Sequence, residues 1–155
     1  MKDTTCCFTG HRKLPCGQRE HVLDRLKQTV SELAEKGYRN FVTGGALGFD
    51  TLAAIAVLDE KKRYPYINLI LMLPCMSQAA LWSGKDRDLY DGIKRMADRI
   101  TFVSKDYFRG CMHERNRRLV DSSSLCICYM TSDKGGTAYT VQYAKKQGLK
   151  VINIA

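Results

Sequence analysis

No apolar run in this chain approaches the roughly 20 residues that a bilayer-spanning helix requires, so a membrane protein built on such helices is excluded. The start, Met1-Lys2-Asp3-Thr4-Thr5, leads straight into a short apolar stretch and lacks the pattern of a secretory leader. The expected location is therefore cytoplasmic. No C-x-x-C pair occurs, so the ligand spacing of a structural zinc is missing; His11, Cys16, Cys111 and His113 are too scattered to read as a metal site. The seven cysteines are odd in number, and Cys6, Cys7, Cys126 and Cys128 lie in apolar strand-like runs. There a reduced thiol packs as a small hydrophobe, which argues against a disulfide framework. No repeat, low-complexity tract or linker breaks the chain, so residues 1–155 are expected to form one domain.

Two familiar phosphate-binding signatures are also lacking. Gly44-Gly45-Ala46-Leu47-Gly48 does not fit the dinucleotide fingerprint G-x-G-x-x-G, and no glycine loop ends in the Lys-Ser/Thr of a P-loop. Ordinary NAD-dependent dehydrogenases and P-loop NTPases lose their main support on that ground.

What is present is the composition of a globular protein, 45% hydrophobic and 26% charged, with a formal charge of +9 that favours anionic partners. Short apolar runs alternate with longer amphipathic ones, the pattern of βα units and a parallel sheet. Strands are expected at Thr5–Thr9, Asn40–Thr43, Ile67–Leu73, Ile100–Val103, Leu125–Tyr129 and Val151–Ile154. Between them Val22, Leu26, Val30 and Leu33, and then Leu52, Ile55, Ala56 and Leu58, recur at helical spacing. Further helices are expected over Asp86–Ala97, around Met112–Asp121, and up to about Gln147. The fold class that follows is α/β: three layers, with a mainly parallel sheet of about six strands flanked by helices.

In an open parallel sheet, ligands bind beyond the carboxyl ends of the strands. Three unusual segments fall at such ends: Thr9-Gly10-His11-Arg12, Gly44 through Asp50, and Lys134-Gly135-Gly136-Thr137. Glycines let a backbone approach a phosphate, and the helix starts that follow supply free N–H donors and a positive dipole end. Arg12 and Arg115 are the candidates for bidentate phosphate pairing, with a surface salt bridge the alternative for Arg115. His11 is a candidate phosphate donor or general acid, with a turn-stabilising hydrogen bond the alternative, and Asn116 either caps or contacts a ribose hydroxyl. Trp82 either stacks on a base or anchors packing, and Cys75 is at most a candidate nucleophile, with no base evident in the sequence.

These residues resemble the SLOG superfamily of Rossmann-like domains, and specifically its YpsA-like branch. The resemblance covers essentially the whole chain through Thr9-Gly10-His11-Arg12, Gly44 through Asp50, Arg115-Asn116, and Gly135-Gly136-Thr137 with Ala144. It implies that Thr9, Gly10, His11, Arg12, Gly44, Gly45, Gly48, Asp50, Arg115, Asn116, Gly135, Gly136 and Thr137 line a pocket for a nucleotide or an ADP-ribose-like derivative. DNA-processing relatives of the DprA type share the Gly-x-Ala-x-Gly-x-Asp segment but follow it with Ala-His, where this chain has Ala53-Ala54. Phosphoribohydrolases of the Lonely-guy type carry a glutamate after Gly-Gly-x-Gly-Thr, and Val141 and Gln142 do not supply one here. Three functions stay open: a nucleotide-sensing or adaptor module, a nucleotide N-glycosidic hydrolase using Asp50, and single-stranded nucleic-acid binding. A homo-oligomer is compatible with each.

Overall fold

In the computed structural model, which describes residues 1–155, the strands and helices alternate without exception. They run β1 (Thr5–Gly10), α1 (Arg19–Glu35), β2 (Asn40–Thr43), α2 (Phe49–Lys61), β3 (Asn68–Leu73) and α3 (Gly84–Met96). The second half continues β4 (Arg99–Phe102), α4 (Cys111–Asp121), β5 (Leu125–Tyr129), α5 (Gly136–Lys146) and β6 (Lys150–Asn153). The six strands form one sheet in the order β4-β3-β2-β1-β5-β6, and every neighbouring pair is parallel. The expected elements are all there: β2 and β5 keep their expected bounds, and the other stated ends shift by at most two residues. Ile154, expected inside the last strand, lies past its end, although its N–H still bonds to the Cys128 carbonyl.

Strand periodicity sorts side chains to the two faces of the sheet. Cys6 and Phe8 of β1, Leu69, Leu71 and Leu73 of β3, and Leu125 and Ile127 of β5 join α1, α2 and α3 in a core of 26 buried residues. The intervening Cys7, Val42, Ile70 and Cys126 join α4 and α5 in a second core of eight. The sheet is covered on both sides, which is why its strands read as near-continuous apolar runs. At roughly 25 cal/mol per Å² of apolar surface, burial on both faces is the main favourable term in folding.

The strand order decides where a ligand can bind. The chain moves outward from β1 through β2 and β3 to β4, then returns to place β5 on the other side of β1. The connections leaving β1 and β5 diverge to opposite faces, since α1 packs with the larger core and α5 with the smaller. A crevice opens between them, at the topological switch point of the sheet.

Candidate functional site

The crevice at that switch point has a volume of about 310 Å³. Ten of the thirteen residues expected in the site line it: Thr9, Gly10, His11, Arg12, Asp50, Arg115, Asn116, Gly135, Gly136 and Thr137. Ala46 and Lys134, from the glycine-rich segments singled out in the sequence, also line it, as do Met112 and His113, which sequence reasoning did not place there. Met112 and His113 lie in the first turn of α4, and the signal that would have found them is Gly110, whose φ of 91° ends the preceding loop and aims that helix start at the crevice.

The starts of α2, α4 and α5 contribute to this wall, and glycine precedes each of them, with no side-chain cap. The first N–H groups of a helix have no partner within it. At α5 the amides of Gly136 and Thr137 bond to no protein acceptor. Gly135 sits at φ 97°, where an L side chain is strained, and a Cβ at either Gly135 or Gly136 would meet no atom within 4 Å. These two glycines face open space, and the donors behind them are free.

The charges point the same way. Arg12, Arg115 and Lys134 line the crevice, and none of them forms an ion pair within 4.0 Å. The one carboxylate among them is Asp50, only 6% exposed, whose Oδ2 accepts the Ala46 N–H at 3.2 Å while Oδ1 has no partner at all. Burial pushes the Asp50 carboxyl up to about 6, against the opposing pull of Arg115, the Ala46 N–H and Arg12. Burial likewise lowers the Arg115 guanidinium, which Asp50 partly offsets.

The structure gives several expected site residues a different part. Arg115 is no surface salt-bridge residue, being 4% exposed. Its Nη1 donates to the Gly44 carbonyl and its Nε donates to Asn116 Oδ1 at 2.7 Å. It therefore ties α4 to the loop after β2 while presenting its charge to the crevice. Asn116 spends its carbonyl on Arg115, which leaves its amide N–H groups as donors. The His11 Nε2 accepts the Thr131 N–H at 3.0 Å, so this nitrogen carries no proton and is not the one that donates to a phosphate.

Gly44, Gly45 and Gly48 do not line the crevice. A Cβ at Gly44 would strike the Arg115 guanidinium, at Gly45 the Leu73 side chain, and at Gly48 the Arg12 carbonyl. Protein atoms already stand where a Cβ would project from each. These glycines allow close packing instead, drawing α2, and with it Asp50, against the β1 loop. Cys75 is buried, with the Ser77 hydroxyl 3.6 Å from its sulfur. No cluster of three or more His, Cys, Asp or Glu side chains is placed to hold a metal ion.

A second cavity of about 430 Å³ lies on the α2–α3 side and shares Arg12 and Asp50 with the crevice. Gly45 and Gly48 border it, as does Trp82, whose ring meets Tyr90 edge-on at 5.0 Å.

A parallel α/β sheet with glycine-led helix starts around its switch point defines a Rossmann-like domain. More narrowly, the chain belongs to the YspA SLOG family, whose profile matches residues 7–153. It is 31% identical over 137 residues to the SPbeta prophage-derived protein YoqJ of Bacillus subtilis, covering 79% of this chain and 80% of that one. A UPF0398 protein of Halalkalibacterium halodurans is 28% identical over 130 residues, covering 82% of this chain and 69% of its own. The fold is similar to that of DNA processing protein A from Helicobacter pylori, which has a single-stranded DNA binding mode. The TM-score there is 0.65 at 22% identity, covering 97% of this chain and 64% of the other. The Streptococcus pneumoniae protein of the same name gives 0.66 at 18%, covering 97% of this chain and 50% of the other. The chain thus spans between half and two thirds of those two proteins. No helix is long and apolar enough to cross a membrane.

Proposed function

We propose that this domain is a recognition module for a nucleotide or nucleotide-derived ligand, held by its phosphate in the crevice between β1 and β5. The observation that carries the reading is the pairing of free Gly136 and Thr137 amides with the unpaired Arg12, Arg115 and Lys134. Backbone donors and the positive end of a helix favour an anion, and guanidinium groups match phosphate oxygens. A thermal-shift panel of nucleoside phosphates and ADP-ribose at low ionic strength tests it. Ligand at ~100 times its dissociation constant adds about 2.7 kcal/mol, a rise of roughly 5–10 °C for a domain of this size. No shift with any compound would refute the reading.

Single-stranded nucleic acid is a second reading, favoured by a rim of aromatic and basic groups. The His113 and Tyr139 rings meet edge-on at 4.7 Å, and Arg117 donates to the Tyr139 hydroxyl at 3.1 Å. Bases stack on such rings, and binding of this kind weakens steeply with salt. An affinity for oligonucleotide that ignores added salt would argue against it. A third reading, N-glycosidic hydrolysis, draws on the unpartnered Asp50 Oδ1. Release of free base from a nucleoside monophosphate, lost in Asp50→Asn, is the outcome it requires.

A further inference from the structure

A carboxylate in the wall of an anion site works against it, yet Asp50 stands among Arg12, Arg115 and Lys134 in the crevice. Its surroundings favour the neutral form. The side chain turns back from the first turn of α2, where Oδ2 accepts the Ala46 N–H and Oδ1 has no partner. No cation forms an ion pair with it within 4.0 Å. The nearby guanidiniums are engaged elsewhere, Arg115 with the Gly44 carbonyl and Asn116, and Arg12 with the Met112 sulfur at 4.0 Å. A buried carboxylate met by one N–H and no ion pair is poorly solvated as an anion. Burial raises its pKa from 3.8 to about 6, so its charge changes in mildly acidic conditions.

Other titratable groups stand around it. His11 from the β1 loop and His113 from α4 line the crevice with it, and on its other side Cys16, Arg19, Asp86 and Tyr90 line the second cavity. None of them hydrogen-bonds to its carboxylate, and the charges that pull on it are those of Arg115 and Arg12. An anion in the crevice adds a negative charge to this set. It repels ionised Asp50 without touching it, because charges interact over several Å where water is excluded. The neutral carboxyl escapes that repulsion. Linkage makes the effect reciprocal: the factor by which protonation raises anion affinity is the factor by which the anion raises proton affinity.

We propose that Asp50 makes anion binding in the crevice proton-coupled: as the anion binds, Asp50 takes up a proton from solvent, and the anion is held more tightly in mildly acidic conditions. This coupling rests on the phosphate reading of the crevice and adds regulation by pH to it. Sulfate and ADP-ribose are the probes, since both keep a fixed charge over the range used, unlike a phosphate monoester with a second pKa of about 6. Titration calorimetry at about pH 5.5 and about pH 7.5 compares wild type with Asp50→Asn, which retains both crevice histidines. For a coupling of about 10-fold, wild-type affinity is expected to fall about 6-fold more than that of the variant between the two values. At about pH 6.5, buffers of different ionisation enthalpy should report about half a proton more taken up by wild type than by the variant. Carboxyl ¹³C NMR follows the same group with no substitution, and saturating anion should raise the Asp50 midpoint by about one unit. If a probe binds and that midpoint stays in place, the coupling is refuted while the phosphate crevice stands. One pH dependence shared by wild type and Asp50→Asn refutes it as well. If neither probe binds at either pH, the coupling and the phosphate reading fall together.

Discussion

Replacing Asp50 with asparagine separates the energetic cost of this buried carboxylate from everything else in the site. In the folded protein burial raises its pKa from 3.8 to about 6. A group whose folded pKa is raised binds more protons folded than unfolded in the interval between the two values. Stability present below about pH 4 is therefore lost as the pH rises through about 6. Each pKa unit corresponds to 1.36 kcal/mol, so the full cost of holding Asp50 ionised approaches about 3 kcal/mol. Between about pH 4.5 and pH 7.5 the titration develops about 2 kcal/mol of it. The substituted amide does not titrate, and any fixed loss at Arg115 or Ala46 enters as a pH-independent offset. The assay is urea unfolding followed by circular dichroism at several pH values across that range, on wild type and Asp50→Asn. The stability of the variant relative to wild type should rise by about 2 kcal/mol from the acid to the neutral end. A difference flat to within about 0.5 kcal/mol would refute the placing of Asp50 as a buried, poorly solvated carboxylate.

Two glycines should respond in opposite ways. Gly48→Ala puts a Cβ into the Arg12 carbonyl at φ 79° and should cost about 3 kcal/mol or more in urea unfolding; a loss under about 1 kcal/mol would show that the loop relaxes freely. Gly136→Ala meets no neighbour and starts a helix, so stability should hold within about 0.5 kcal/mol. Its methyl stands in the crevice, and affinity for the phosphate ligand should fall about 10-fold; unchanged affinity would remove the α5 start from the site. Arg115→Lys loses the fork that reaches both Gly44 and Asn116 and should lower the melting temperature by roughly 6–12 °C, about 3 kcal/mol. A shift under about 2 °C in differential scanning calorimetry would show that this arginine is not the tie between α4 and the β2 loop.

Much of this molecule was legible in local sequence because local physics dictates it. A strand buried on both faces must be apolar along its length, so Leu69 through Leu73 and Leu125 through Tyr129 announce themselves. A helix packed on one face must repeat near 3.6 residues, as Val22, Leu26, Val30 and Leu33 do. Gly135-Gly136 before a helix is likewise a local signature, and those two glycines prove to be open to the crevice. What the chain could not announce is which glycines face open space and which face protein. Gly44 and Gly135 look alike in sequence, but Arg115, 71 positions along the chain from Gly44, fills the space above one and leaves the other empty.

Local sequence was enough for the alternation of strands and helices, the parallel sheet, and a glycine-rich rim around its carboxyl edge. The burial of Arg115, the unmet oxygen of Asp50 and a second cavity that shares Asp50 and Arg12 with the first came only with the folded chain. The physical reason is that burial, desolvation and cavity shape are properties of residues brought together from distant positions. Propensity and periodicity act only among neighbours along the chain.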